Sequence, residues 1–147
     1  MESTVSIERP VEEVFGFVVD LTNVPSIDPS VKTVQKTSQG PIGAGSTFRM
    51  RQKAPHLGKV REASVRYTTV KPPRKIELKA RVGPNSPTAR LTFKRVDGGT
   101  RVRFRGEANP GGPLRVLSPL STRQGQHRWD KRLARLKRTL ESPQKGH

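Results

Sequence analysis

The chain contains no cysteine, which excludes a disulfide scaffold, a thiol nucleophile and any metal site built on cysteine. Aromatic residues are scarce as well, with one tryptophan, one tyrosine and five phenylalanines. No apolar run approaches the ~18 residues of a membrane-spanning helix, and residues 1–10 have neither region of a signal peptide. These absences predict a soluble, cytoplasmic protein.

Negative charge is also in short supply. The 147 residues contain 29 Lys and Arg against 12 Asp and Glu, so the net charge is +17. Six of the acids lie within residues 1–28, together with a single arginine. The basic remainder would attract a polyanion, such as nucleic acid or an anionic bilayer, over roughly the ~8 Å Debye length of physiological salt. A solvated, arginine-rich surface without function is the alternative.

The length allows one domain, and we find no internal repeat. We expect this domain to span residues 1–141 and residues 142–147 to form a flexible tail. A short strand is predicted over residues 4–8. An amphipathic helix should follow from residue 11, with Asp20 capping a second helical turn that Pro25 ends.

The hydrophobic period then changes to two, which is typical of β-strands. Glycine and proline clusters separate the segments, and connections this short favour antiparallel neighbours. Six further strands are predicted at approximately residues 31–37, 46–53, 58–70, 74–82, 88–96 and 100–107.

The alternation predicts a sheet with one apolar face and one basic face. Such a sheet needs a cover on its apolar side. The basic face is the candidate polyanion surface, and it is formed by Arg49, Arg51, Lys79, Arg81, Arg101, Arg103 and Arg105. Because the few aromatic residues mostly point inward, base stacking on this face is not expected.

A C-terminal helix is predicted to provide the cover. Trp129, Leu133, Leu136 and Leu140 recur at helical spacing and form a narrow apolar stripe. The same stripe continues towards the N-terminus through small and polar residues. We expect the helix to end at residues 142–143.

Several strings of the sequence, in this order, resemble the START-like (SRPBCC) polyketide cyclase/dehydrase and lipid-transport superfamily. They are VSIERPVEEVF (5–15), DLTNVP (20–25), IDP (27–29), GPIGAGSTF (40–48), PPR (72–74), GGTR (98–101) and LARLKRTLE (133–141). The family often has a tryptophan where this chain has Ile27. The resemblance implies an α+β helix-grip fold, in which a curved, seven-stranded antiparallel sheet wraps a long C-terminal helix, with two short helices near the N-terminus.

The resemblance also implies a cavity for a hydrophobic or aromatic ligand, such as a lipid, quinone or polyketide-like molecule. Pockets of this kind are mostly apolar, with a few polar groups that orient the ligand. We expect Tyr67, Thr122 and Gln126 to be the polar groups. The apolar wall is expected to include Phe48, Met50, Leu78, Phe93, Phe104 and Trp129.

Catalytic chemistry is the less favoured interpretation, because the family has no fixed catalytic motif that maps onto this chain. A polyketide cyclase or dehydrase needs an acid or base inside the cavity. The candidates are Glu62, Arg66 and Tyr67, on a strand whose inward face the sequence leaves ambiguous. The three histidines lack metal-ligand spacing, so neither a metal nor a cofactor is expected.

Overall fold

The computed structural model describes residues 1–53, 60–109 and 118–142, with side chains from residue 126 onward in the last range. It contains the predicted seven strands, two α-helices and one 3₁₀ helix. In chain order they are β1 (Glu2–Ile7), α1 (Val11–Val19), the 3₁₀ helix (Leu21–Ser26), β2 (Val31–Lys36), β3 (Thr47–Lys53), β4 (Val60–Lys71), β5 (Lys75–Arg81), β6 (Thr88–Val96), β7 (Gly99–Glu107) and α2 (Ser118–Glu141).

The seven strands form one antiparallel sheet in the order β1-β7-β6-β5-β4-β3-β2. Apolar side chains meet across the strands on its inner face, as where Phe93 pairs with Val102. The helix-grip prediction is therefore confirmed, since α2 covers this face and buries Leu133, Leu136 and Leu140. No helix of the described residues is long and apolar enough to cross a membrane.

The long strand β4, whose inward face the sequence leaves ambiguous, contains a bulge. The register with β5 shifts between Tyr67 and Thr69. Ahead of the bulge, Ala63, Val65 and Tyr67 are buried and point inward. The bulge thus adds one residue to β4 and leaves these three side chains on the inner face.

The helical segments near the N-terminus follow the prediction with one correction. Asp20 caps the 3₁₀ helix, since its Oδ1 accepts a hydrogen bond from the Thr22 amide at 3.1 Å. The expected break at Pro25 is wrong, because this helix continues to Ser26. Proline removes only one donor from so short a helix, and the amide of Ile27 closes it by donating to the Val24 carbonyl at 2.9 Å.

Gly99 marks a close approach between β7 and β1. A Cβ atom at Gly99 would overlap the carbonyl oxygen of Ile7 and lie 3.0 Å from the Cα of Glu8.

We predict that Gly99→Ala lowers the free energy of unfolding by about 1–3 kcal/mol, because only backbone could move aside. The matched control is Gly16→Ala, at an exposed helical site with open space around it, which should raise it by about 0.5–1 kcal/mol. Urea denaturation measures both, and equal stability of the two variants would contradict this account.

Candidate functional site

A cavity of about 240 Å³ lies between the inner face of the sheet, the 3₁₀ helix and α2. Its lining also includes the exposed residue Glu107, so the cavity reaches the surface at the end of β7. Apolar side chains form most of the wall, among them Val24, Ile27, Met50, Leu78, Ala80 and Leu136. Such a lining suits an apolar ligand whose orientation is set by a few polar groups.

One wall of the cavity is a stack of two aromatic rings and a cation. The rings of Phe104 and Trp129 are nearly parallel, with centroids 3.6 Å apart. The guanidinium carbon of Arg132 lies 4.5 Å from the centroid of the Trp129 ring. These contacts within the chain fix the orientation of the indole.

Tyr67 also lines the cavity, and its hydroxyl group is already engaged. The hydroxyl donates to the carbonyl oxygen of Val19 at 2.6 Å, and the ring meets Phe48 edge-on at 5.4 Å. Burial raises the pKa of Tyr67, and the nearby carboxylate of Asp20 raises it further. The phenol therefore stays protonated at neutral pH and cannot act as a base there.

A cluster of polar side chains closes one corner of the cavity, around the buried carboxylate of Asp28. The Nε atom of Arg132 donates to Asp28 at 3.1 Å, and its Nη2 atom forms a second, shorter bond to the same oxygen. Arg128 approaches that oxygen with Nε at 3.3 Å. The Nη2 atom of Arg128 donates to Ser30 at 3.0 Å and to Gln52 at 3.1 Å.

The charges of this cluster stabilise each other. Burial is the largest single effect and would raise the pKa of Asp28, but the Arg132 guanidinium opposes it through its charge and its hydrogen bonds. With the Ser30 hydroxyl and Arg128 adding to it, the pKa of Asp28 lies well below its ordinary value. Burial lowers the pKa of Arg132 while Asp28 opposes the change, and an arginine remains charged at neutral pH. Two cations and one anion therefore share this corner.

The structure brings five of the nine predicted ligand-binding residues to the cavity, namely Met50, Tyr67, Leu78, Phe104 and Trp129.

Three of the others lie elsewhere. Phe93 packs edge-on against Phe15 of α1 at 5.2 Å, and Phe48 lies outside the lining. Gln126 accepts from the Glu2 amide at 3.0 Å and also donates to the Glu2 carbonyl, so it holds α2 to β1. The prediction for the Thr122 side chain lies outside the described residues.

Two of the three catalytic candidates face away from the cavity. Glu62 is 63% exposed and lies 3.7 Å from Arg49 on the outer face of the sheet. Arg66 is exposed on the same face, one residue before the inward-pointing Tyr67. The residues described contain no group of three His, Asp or Glu side chains that could hold a metal ion.

The basic face of the sheet has the predicted orientation. All seven residues assigned to the polyanion surface are exposed, and they alternate with inward-pointing side chains. Within the described chain, the members without an acidic partner are Arg51, Lys79, Arg81 and Arg101.

Sequence reasoning missed the corner around Asp28. Arg128 and Arg132 are four residues apart and flank the stripe that contains Trp129, but many basic residues of this chain have a similar position. Asp28 stood out only as the last acid of an acidic segment. The pairing spans about a hundred residues of sequence, so it became visible only in three dimensions.

Comparisons with known proteins agree with this architecture. The family model described as "Polyketide cyclase / dehydrase and lipid transport" matches residues 1–141. No protein of curated function matches the chain significantly.

Solved structures share the fold at low sequence identity. Protein CV1439 from Chromobacterium violaceum has a TM-score of 0.76 at 14% identity, with 97% of this chain and 98% of that chain covered. TTHA0849 from Thermus thermophilus has a TM-score of 0.77 at 17% identity, covering 97% and 99%. The di-domain ARO/CYC protein BexL, from the BE-7585A biosynthetic pathway, has a TM-score of 0.77 at 20% identity, covering 96% of this chain and 46% of BexL.

The ion pairs of Asp28 lead to a prediction about stability. Asp28→Asn should lower the free energy of unfolding at pH 7 by about 3–5 kcal/mol, because it leaves buried guanidinium charge without its partner. The folded-state pKa of Asp28 lies below the unfolded value of about 3.9, so this stabilisation is complete above that value and is lost as the pH falls further.

Urea denaturation at neutral and acidic pH measures the free energy of unfolding of the wild type and of Asp28→Asn. The difference between these two free energies should become smaller in acid. Asp97→Asn, at an exposed turn, is the control and should have little effect at either pH. A loss that is the same at both pH values, or the same for both variants, would contradict the role of the Asp28 charge.

Proposed function

The chain belongs to the polyketide cyclase / dehydrase and lipid transport family, and we propose that it binds or carries a hydrophobic or aromatic small molecule in the cavity beneath α2. The observation that carries this proposal is the cavity itself, which is about 240 Å³ in volume and mostly apolar in its lining. In a domain with so few apolar residues, an unfilled apolar space beside the core is costly unless it serves a ligand.

The wall of the cavity favours a ligand with a ring system. Phe104 and Trp129, whose rings are stacked, both line the cavity and so bring aromatic surface into contact with a ligand ring. The similarity to BexL supports the same ligand class, because BexL is described as an ARO/CYC protein of a biosynthetic pathway.

Binding is preferred over cyclase or dehydrase chemistry for reasons of proton transfer. A general base must be ionised and must reach the substrate. Tyr67 is protonated and already donates to Val19, while Glu62 and Arg66 point to the outer face. The carboxylate of Asp20, which also lines the cavity, is held by two hydrogen bonds from Thr22. Turnover is the alternative, and it would need an acid or base supplied in another way.

Blocking the cavity should abolish binding of an apolar probe. N-phenyl-1-naphthylamine is neutral and fluorescent, and it accepts energy from tryptophan, of which the chain has only Trp129. We predict saturable energy transfer from Trp129 to the probe in the wild type. Ala80→Phe, which places a ring in the cavity, should weaken binding by about tenfold or more.

Lys79→Phe is the matched control, since it adds the same ring on the opposite face of β5. Probe binding that survives Ala80→Phe, or that Lys79→Phe reduces equally, would place the probe outside the cavity and contradict the proposal.

We also propose a second function for the outer face of the sheet, namely contact with the phosphates of RNA. Like charges face each other across neighbouring strands in the pairs Arg66 with Lys79 and Lys94 with Arg101, and none of these four has an acidic partner among the described residues. Such pairs are destabilising unless anions lie between them. The only large apolar side chain that is exposed among the described residues is Val60, so this face has little to insert into a bilayer. This proposal assumes the cytoplasmic location expected from the sequence.

Binding of a generic structured RNA should depend strongly on salt. If about four phosphates are contacted, affinity should fall on the order of a hundredfold between ~50 and ~200 mM salt. A triple reversal on β7 should abolish binding, whereas a matched reversal on the exposed side of α2 should not. The two variants are Arg101→Glu/Arg103→Glu/Arg105→Glu and Lys131→Glu/Arg135→Glu/Arg138→Glu. RNA binding that is unchanged in the first variant, or binding to anionic vesicles in place of RNA, would refute this assignment.

A further inference from the structure

We propose that Arg128 and Arg132 form an anion-binding corner of the cavity, so that the ligand is an apolar, ring-containing molecule with an acidic oxygen group such as a carboxylate or an enolate. This inference rests on the proposed ligand-binding function and specifies the chemistry of the ligand. Both arginines line the cavity, whose wall is otherwise largely apolar.

The charges at this corner do not cancel. The carboxylate of Asp28 is the acidic partner of both guanidinium groups, at 3.3 Å from Nε of Arg128 and closer to Arg132. The remaining partners of Arg128 are neutral, namely the Ser30 hydroxyl and the Gln52 amide oxygen. One positive charge is therefore left over next to an apolar space, where electrostatic attraction is stronger than in water.

The two guanidinium groups also have donors to spare. Each carries five N–H groups. In both arginines the bonds within the described residues are made by Nε and Nη2, and none is made by Nη1. A planar anion accepts two parallel hydrogen bonds from such groups, which makes arginine well suited to bind a carboxylate.

The corner is held in place before a ligand arrives. Arg132 is fixed by Asp28 on one side and by the Trp129 ring on the other, and its side chain is only 14% exposed. Arg128 is anchored to the β2 and β3 side of the cavity through Ser30 and Gln52, yet its side chain is 35% exposed. Little conformational freedom remains to be lost on binding.

The apolar wall lies next to the charged corner. Trp129 contacts both Arg132 and Phe104, so a ligand ring lying along the aromatic stack would have its edge near the guanidinium groups. The indole N–H of Trp129 makes no hydrogen bond within the described part of the chain. Trp129 lines the cavity beside Arg132, so its N–H is a further donor of the lining, and an acidic oxygen would find donors where a purely apolar ligand would leave them without partners.

The other charged groups of the lining have their contacts elsewhere. Asp20 is bonded to Thr22 at the start of the 3₁₀ helix. Glu107 lies at the end of β7, where the cavity reaches the surface, and the amino group of Met1 donates to the Gly106 carbonyl at 3.0 Å. None of these groups hydrogen-bonds to either arginine.

Two compounds of the same shape test the inference. The first is 2-naphthoate, which is an anion, and the second is 2-naphthamide, its neutral isostere. Isothermal titration calorimetry on the wild-type protein should show that 2-naphthoate binds roughly tenfold or more tightly than 2-naphthamide. A hydrogen bond to a charged group contributes more free energy than a neutral one, and the difference corresponds to about this change in affinity.

Variants then assign the preference to the corner. Arg128→Gln should abolish the preference for 2-naphthoate while the affinity for 2-naphthamide stays nearly the same. Arg135→Gln, at an exposed position of the same helix, should change either affinity by less than about threefold. Arg128 is the residue to change because it is more exposed than Arg132 and bears less of the buried ion pair.

The outcomes separate this inference from the proposed function. Equal affinities for the two compounds in the wild type, or a preference that survives Arg128→Gln, would overturn the anion-binding corner. The wild-type comparison needs no variant, so it decides the matter even if Arg128→Gln does not fold. Binding of N-phenyl-1-naphthylamine without any binding of 2-naphthoate would also reject the corner but keep the cavity. Failure of all three compounds to bind would reject the proposed function itself.

Discussion

The structure depends on a short apolar stripe of α2 that must hold a long helix against a wide sheet. Leu133, Leu136 and Leu140 bury this stripe, and it ends at the half-buried Trp129. Three residues before Trp129, Gln126 holds α2 to the backbone of β1 by polar contacts. The apolar space between the sheet and α2 lies along the part of the helix from Arg128 to Leu136, whereas Leu140 packs into the core outside its lining.

The site follows from that change along the helix. Next to the leucines, the ring of Trp129 stacks on Phe104. Arg132 follows three residues later on the same side of α2 and donates to Asp28, which comes shortly after the 3₁₀ helix in the chain. The ion pairs of Asp28 and the other bonds of Arg128 join α2 to the segment before β2 and to β3 at the edge of the cavity. They stabilise the position of α2 and place positive charge where a ligand would lie. Stability and ligand recognition are therefore properties of the same few side chains.

Much of the fold could be predicted from the sequence, because alternation and helical spacing are local signals. Local signals did not show that a bulge follows Tyr67 in β4, or that the 3₁₀ helix passes through Pro25, because tertiary contacts decide such details. The cavity was predicted from the apolar face of the sheet, but Phe93 packs against Phe15 and does not line the cavity. The corner around Asp28 could not be predicted, because only tertiary contacts distinguish Arg128 and Arg132 from the chain's many other basic residues.

Native mass spectrometry of the protein as purified, after nuclease and high-salt washes, tests the central claim most directly. The account predicts a mass above that of the polypeptide, with one apolar or aromatic molecule released on denaturation. The extra mass should be absent from a variant whose cavity is filled by a larger side chain. The mass of the polypeptide alone in the wild type, even after incubation with an apolar extract of the expression host, or the same extra mass in both proteins, would contradict it.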